Sequence, residues 1–431
     1  MRIGIVDRHA AAQHCWIGSR RVAVALTHRN FRQLWIGALT SSIGTWMQKV
    51  AQAWLIVTMT GSQSAVFLAW DNFLGEVPLL LLATLGGVLA DRRDRRHMIL
   101  MSQIIQMLAA LVLAGLIYTR RLHIAHVLGL SLITGCVRAF GGPAYQSLVP
   151  TLVGKEHLAN AIALNAIQFS LAQLVGPFIA GATLAAFGMV VCFGLNAMSF
   201  LFVISAILAL RNVDVPPTAT DSVVAQFKGG LQYVQRSPNM ASVLAVGFAC
   251  AFFGTPLFTF LPLITRDVFH RDVGFYTELM TCSGAGALIG ALFVAWLGKN
   301  KHMGRLLFIS LTLFGAIMVG FGLVGGIYLP GLILFIGGSL FVMCSSIATF
   351  LAQLLTPQEF HGRVVSLYLV AFLGGSPLAA LTSGWIITRV GSAPVMLAIN
   401  GLVLMVLGLY GLTSHLIARI EAPLWAAEPS V

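Results

Sequence analysis

Long uncharged stretches alternate with short charged ones along the whole chain. Apolar runs of about 20 residues, enough to cross a bilayer as helix, fall at 33–58, 64–88, 98–118, 125–150, 161–187 and 190–210, and again at 240–265, 274–297, 306–326, 331–355, 364–387 and 393–415. A polar stretch at 211–239 separates the first six from the second six. The pattern predicts an all-α membrane protein with twelve transmembrane helices in two six-helix bundles, residues 29–210 and 240–416. It leaves a cytoplasmic linker at 211–239 and tails at 1–28 and 417–431. Residues 1–28 carry cations but lack a long apolar core followed by a cleavage site, so they read as a cytoplasmic tail and not a secretory signal.

Composition agrees with that pattern. The 431 residues are 58% hydrophobic and only 9% charged, whereas soluble domains carry roughly 25% charged residues. Forty-four glycines suit helices that pack closely in lipid. The net charge of +12 raises the question of a nucleic-acid partner, but the cations are distributed by loop. Nineteen of the 26 Lys and Arg lie in the tails and alternate loops, five lie in the opposite loops, and Lys49 and Arg138 fall inside predicted helices. This positive-inside bias places both termini in the cytoplasm and accounts for the charge without nucleic acid. The six cysteines show no paired spacing, and the eleven histidines form neither an HExxH pattern nor a cluster with cysteine. No phosphate-binding loop is present either, so no metal, cofactor or intrinsic ATP-driven step is expected, and no enzyme.

The halves repeat at a constant offset of 203 residues. Gly87 matches Gly290, Leu89 matches Leu292, Glu156 matches Glu359, Gly181 matches Gly384 and Gly188 matches Gly391. A duplicated six-helix unit places a cavity at the interface of its copies, near the bilayer midplane.

The densest charge is GVLADRRDRR, Gly87 to Arg96, a cytoplasmic loop with four arginines and two aspartates. It resembles the loop motif of the major facilitator superfamily, glycine-x-leucine-alanine-aspartate-arginine-x-glycine-arginine-arginine, with Asp94 in place of the motif's glycine. NFRQLWIGALTSSIGTWMQKVAQAWL (from Asn30), VRAFGGPAYQSLVPTLV (from Val137), HLANAIALN (from His157) and HGRVVSLYLVAFLG (from His361) resemble the enterobactin exporter and macrolide efflux branch. The likeness covers residues 30 to 415. It implies a monomeric carrier in the bacterial inner membrane that exports small amphiphilic molecules by alternating access, driven by protons. By the same resemblance Gly87, Asp91, Arg92, Arg95 and Arg96 form a gate, with Asp91 facing the start of the eleventh helix. In the second half Val294 stands where the aspartate would be, so that gate is one-sided.

Charges inside the helices are the candidate coupling site, since an intramembrane charge is costly unless it is paired or wetted. Arg138 with Gly142 resembles the fourth-helix motif of drug:proton antiporters, which implies a part in proton transfer. Asp71 and Glu76 lie five residues apart on the second helix, roughly 140° around it, so one cation cannot easily serve both. Depth suggests Glu76 with Arg138 and Asp71 with Lys49, and either acid is a candidate for the proton. Gly176, Pro177 and Gly181 on the fifth helix resemble the antiporters' glycine-proline motif, implying a bend that seals against a facing helix. Trp46, Gln48, Gln168, Gln173, Phe253, Phe258, Phe260 and Gln353 are the cavity-lining candidates, a mainly apolar wall with few polar anchors. Two other readings stay open, a lipid or lysophospholipid flippase and a transport-inactive sensor; a membrane enzyme would need a nucleophile or metal constellation that the sequence does not show.

Overall fold

The computed structural model describes residues 24–92, 94–210, 237–298, 302–323, 329–356 and 361–417, with isolated positions beyond these. Almost all of them are helical. In chain order the helices are α1 (Arg29–Thr60), α2 (Ser64–Arg92) and α3 (Arg95–Tyr118), followed by one helical run, Ile124–Leu208. That run is interrupted at Gly154 (φ 71°) and Gly188 (φ 76°), left-handed positions where a residue without a Cβ is at least strain, so it counts as α4, α5 and α6. A bent span, α7, follows as three pieces, Pro238–Gly254, Pro256–Thr259 and Leu261–Asp267. Then come α8 (Val273–Leu297), α9 (Met303–Leu323), α10 (Leu329–Leu354), α11 (His361–Val390) and α12 (Ala393–Thr413). Among the described residues ten stretches are long and apolar enough to cross a membrane, and two of them, Arg29–Ala83 and Glu156–Leu208, each hold two helices, which makes twelve.

One expected span departs from continuity. The run 240–265 is broken at Thr255 and Phe260, and prolines at Pro256 and Pro262 open the next pieces. Proline cannot donate to the preceding turn but fits the first turn of a new helix, which explains both breaks. Most of the linker at 211–236, and the tails at 1–23 and 422–431, lie outside the described residues.

Helices α1 to α6 pack chiefly among themselves, as do α7 to α12, with α1, α3 and α2 against the α4–α6 run, and α9 on α12 and α8 on α10 in the second half. The offset of 203 has a structural image. Gly188 and Gly391 both take positive φ, 76° and 73°, at the turns that lead into α6 and α12. Gly181 and Gly384 both lie where the halves meet. A Cβ on Gly181 would sit 2.4 Å from Thr277 Oγ1 of α8, and one on Gly384 would sit 2.7 Å from Ala69 Cβ of α2. The halves therefore join along two related seams, α5 with α8 and α2 with α11.

Among the described residues, the seam contacts run from the end of the bundle that carries the α1–α2 turn at Gly61 to about its middle. Trp54 stacks on Tyr276 at 6.0 Å, Gly284 approaches the Gln173 carbonyl, and Gly374 meets Leu80. Toward the opposite end, which carries Asp94, α2, α5 and α8 expose Leu85, Leu89, Ile162, Phe169, Ile289 and Leu292.

Candidate transport site

The charged residues inside the first bundle assemble as two tiers. Antiparallel α1 and α2 are joined by the turn at 61–63, so residues equally far from the helix ends at Thr60 and Ser64 lie at equal depth. Gln52 thus meets Asp71, and Lys49 meets Glu76. On α4, which runs parallel to α2, Ser131 and Arg138 supply the matching levels. In the tier nearer Gly61, Asp71 accepts from Gln52 Nε2 at 2.7 Å and from Ser131 Oγ at 2.5 Å. Gln52 Nε2 also reaches Ser131 Oγ at 2.9 Å, closing a triangle. In the second tier Glu76 Oε1 accepts from Lys49 Nζ at 3.4 Å and Arg138 Nη1 at 3.2 Å. Five residues on one helix separate the tiers by about 7.5 Å.

This corrects one expected pairing. Glu76 meets Arg138 as predicted, but Lys49 binds Glu76 and not Asp71, because the register from the Gly61 turn puts Lys49 a full turn deeper than Asp71. The partners of Asp71 are neutral. Gln52 and Ser131 were not among the candidates, although counting outward from the α1–α2 turn would have found Gln52. Lys49 remains 45% exposed and its ammonium lies 5.3 Å from the Trp46 ring, a cation–π contact. Trp46 in turn meets Phe169 edge-on.

The remaining candidates divide between packing and exposed positions. Gln48 accepts from Asn196 at 2.5 Å, tying α1 to α6 inside the first bundle. Gln168 is buried and donates to Ser42 at 3.2 Å, while its Oε1 has no partner among the described residues. Gln173 is half-buried and offers its carbonyl to the α8 seam at Gly284. Phe260 is fully buried, so it is core and not cavity wall. Phe253 and Phe258 are half-buried, and Gln353 is exposed at the end of α10. Gly176, Pro177 and Gly181 keep helical geometry, with the breaks at Gly154 and Gly188 instead. Gly176 packs on Trp46 and Ile43 of α1, whereas Gly181 faces α8.

The charged loop is described in part. The side chains of Asp91 and Arg92, and of the first six residues of α11, lie outside the described residues, so the expected contact between Asp91 and α11 falls there too. Asp94 is the N-cap of α3 in extended conformation (φ −60°, ψ 108°), accepting from Arg96 N at 2.9 Å. The turn thus needs no glycine, and the residue that departs from the motif satisfies an orphan helix donor. Arg95 is buried and donates to the Ser147 carbonyl of α4, and Arg96 donates to the Leu208 carbonyl of α6. Both of these bonds stay within the first half. A Cβ on Gly87 would meet nothing within 4 Å, but one on Gly86 would lie 2.2 Å from the Ala139 carbonyl. Gly86, not Gly87, is the glycine that the α2–α4 crossing requires.

A family model described as transmembrane secretion effector matches residues 22–428. The chain belongs to that family. Its relatives include macrolide efflux protein A of Streptococcus pyogenes, 25% identical over 381 residues, covering 84% of this chain and 90% of that one. The enterobactin exporter EntS of Shigella boydii serotype 18 is 27% identical over 392 residues, covering 88% and 92%. Among solved structures, the nucleoside transporter NupG aligns with a TM-score of 0.63 at 12% identity over 93% of this chain and 100% of its own. A bacterial homologue of the human lysosomal transporter Spinster aligns at 0.65 and 15%, over 92% and 95%. These likenesses give the secretion effector the major facilitator fold. It is a multi-span membrane transporter, and its family and relatives are transporters, not enzymes.

In this secretion effector the repeat also explains why the site is lopsided. Moving by 203 residues replaces Lys49 with Phe252, Arg138 with Phe341, Glu76 with Leu279 and Ser131 with Leu334. Where the first half places charge, the second places phenylalanine and leucine. Phe252 touches Phe253 at 4.9 Å, Phe258 touches Phe341 at 5.4 Å, and Phe341 leads on to Phe372 and Tyr368. Stretches 238–265, 329–354 and 367–388 contain no Asp, Glu, Lys or Arg. The one acid of α8, Glu278, is exposed near the Gly61 end and was not among the candidates.

Proposed function

We propose that this transporter exports small amphiphilic molecules from the cytoplasm across the bacterial inner membrane, exchanging them for protons by alternating access. The observation that carries this reading is the lopsided repeat: a polar, charged cluster on α1, α2 and α4 whose counterparts 203 residues on belong to an aromatic cluster on α7, α10 and α11. A molecule with a polar head and an apolar body is complementary to such a pair, because each part leaves water for a surface of its own kind. The relatives named for macrolide efflux and enterobactin export support this substrate class. The Asp94 end is the cytoplasmic one by its arginines. Among the described residues the halves meet from Gly61 to the middle, which supports an inward-facing conformation.

Asp71 is the proton site in this scheme, for a reason of charge balance. Protonating Glu76 would strand Lys49 and Arg138 together without a counter-charge. Protonating Asp71 leaves both cations their shared carboxylate. Its donors are a hydroxyl and an amide, and the Ser131 hydroxyl can rotate to accept where it had donated. Glu76, Lys49 and Arg138 then form a standing charge cluster that presents Lys49 and the Trp46 ring to the substrate head.

The test is Asp71→Asn in proteoliposomes with an imposed pH gradient. The variant should exchange substrate down its gradient but lose uphill accumulation driven by protons. Uphill transport that survives in D71N would refute the role of Asp71. Transport by the unaltered protein that ignores both the pH gradient and a protonophore would refute proton coupling and favour a flippase.

A further inference from the structure

The seam at the Gly61 end holds a contact that the transport reading does not use. Arg266 belongs to the last turn of α7, in the second half. Its guanidinium crosses to the first half and caps the end of α1. Nη1 donates to the Val57 carbonyl and to Ser64 Oγ at 3.2 Å, and Nη2 donates to the Gly61 carbonyl at 2.9 Å. These partners are 202 to 209 residues away in the chain. The last carbonyls of a helix lack partners within it and carry the negative end of its dipole, so a cation is drawn to that place. Gly61 turns the chain out of the helix at φ 54°, which directs its own carbonyl to the same point. The Ser64 hydroxyl, fully buried, donates to the Gly61 carbonyl at 2.6 Å and the Val57 carbonyl at 3.2 Å, fixing the acceptors in position.

The other side of the guanidinium is bound within its own half. Asp267 accepts from Nε at 2.5 Å and from Nη2 at 3.0 Å. This arrangement is suited to repeated opening. When the halves part at this end, the three bonds to α1 break and the freed carbonyls meet water, while the bidentate pair with Asp267 moves with α7. The cation is never left without a counter-charge, so separation avoids the penalty of a stranded buried ion. Beneath this point the Trp54–Tyr276 stack and the close approach of Gly181 to Thr277 seal the seam with tight packing.

We infer that Arg266, held by Asp267, is a positioning residue of the transport cycle, a reversible latch that keeps the outer end shut while the carrier faces the cytoplasm. The inference rests on the alternating-access reading above. Loss of the latch should shift the ratio of outward-facing to inward-facing carrier by about tenfold to a hundredfold, the range given by losing charge-assisted bonds that are partly exposed.

The experiment measures spin-label distances on the full chain in proteoliposomes, with its native cysteines replaced. One pair, Ser62→Cys with Arg271→Cys, spans the outer end, and the other, His97→Cys with Leu354→Cys, spans the inner end. Against the parent, Arg266→Ala should lengthen the outer distance and shorten the inner one. Arg266→Lys keeps the charge but not the fork, so it should move the ratio only part of the way. Ser64→Ala, which removes one acceptor and leaves Arg266 in place, supplies the same test should R266A fail to assemble, and it should shift the ratio in the same direction by less. A parent with both populations and unchanged ratios in R266A, or in S64A where R266A fails to assemble, would overturn the latch and leave alternating access standing. A parent whose two distances stay fixed whatever the pH would overturn alternating access, and the latch with it.

Discussion

Replacing Glu76 by Gln tests whether the second tier is a charge balance that the bundle depends on. The substitution keeps the shape of the side chain and removes the negative charge that Lys49 and Arg138 share, at 3.4 and 3.2 Å. At an effective dielectric of 20, each contact corresponds to about 5 kcal/mol of Coulomb attraction, most of it offset by the cost of holding the ions out of water. Losing one partner of a fully buried pair costs about 3–5 kcal/mol, and of a surface pair under about 1 kcal/mol. Lys49 is 45% exposed, Arg138 32% and Glu76 21%, so this cluster falls between, and we expect a loss of about 2 kcal/mol. For a six-helix bundle this lowers the melting temperature by about 4–8 °C. The buried thiols of Cys192, Cys250 and Cys344 allow the transition to be followed in detergent with a dye that reacts on exposure. Adding Lys49→Gln to E76Q should recover part of the loss, because it removes one of the two stranded cations. A melting temperature for E76Q within a degree of the parent would show that water already compensates the cluster, and the assignment of the proton to Asp71 would lose its basis.

Three further outcomes follow from local geometry. Gly86→Ala places a methyl 2.2 Å from a backbone carbonyl and should cost about 2 kcal/mol by forcing α2 from α4, while Gly87→Ala, with open space around it, should melt like the parent. Asp94→Ala removes the α3 N-cap and should cost about 1 kcal/mol, read as a lower melting temperature. Glu421→Ala removes a buried carboxylate that accepts from Arg305 N at 2.9 Å at the start of α9. It should speed labelling of Cys344, whose thiol packs on the Leu307 carbonyl of the same helix, and unchanged labelling would show that the segment around Glu421 does not secure α9.

The number of helices is legible in the apolar runs alone, because a residue in lipid must satisfy its backbone within its own helix and so announces itself by length and apolarity. Lys49, Asp71, Glu76 and Arg138 stand out for the same reason: charge inside an apolar run has no cheap place to go. Their partners do not follow from depth judged span by span, since an error of one turn moves a lysine from one carboxylate to the next. The antiparallel register at Gly61 settles that Lys49 belongs with Glu76 and that Asp71 rests on Gln52 and Ser131. Gly86 and Gly87 are alike in one dimension, and only the crossing of α2 over α4 separates the one that must lack a side chain from its neighbour. Arg266 looks, in sequence, like one of five cations on the sparse side of the membrane. Its carbonyl partners carry no sequence signal, because every residue has a carbonyl, and what singles out those of Val57 and Gly61 is that α1 ends there, beneath the last turn of α7. Composition and periodicity thus determined what had to be buried and how often the chain crosses, while the contacts between distant residues were decided by the packing of the two halves.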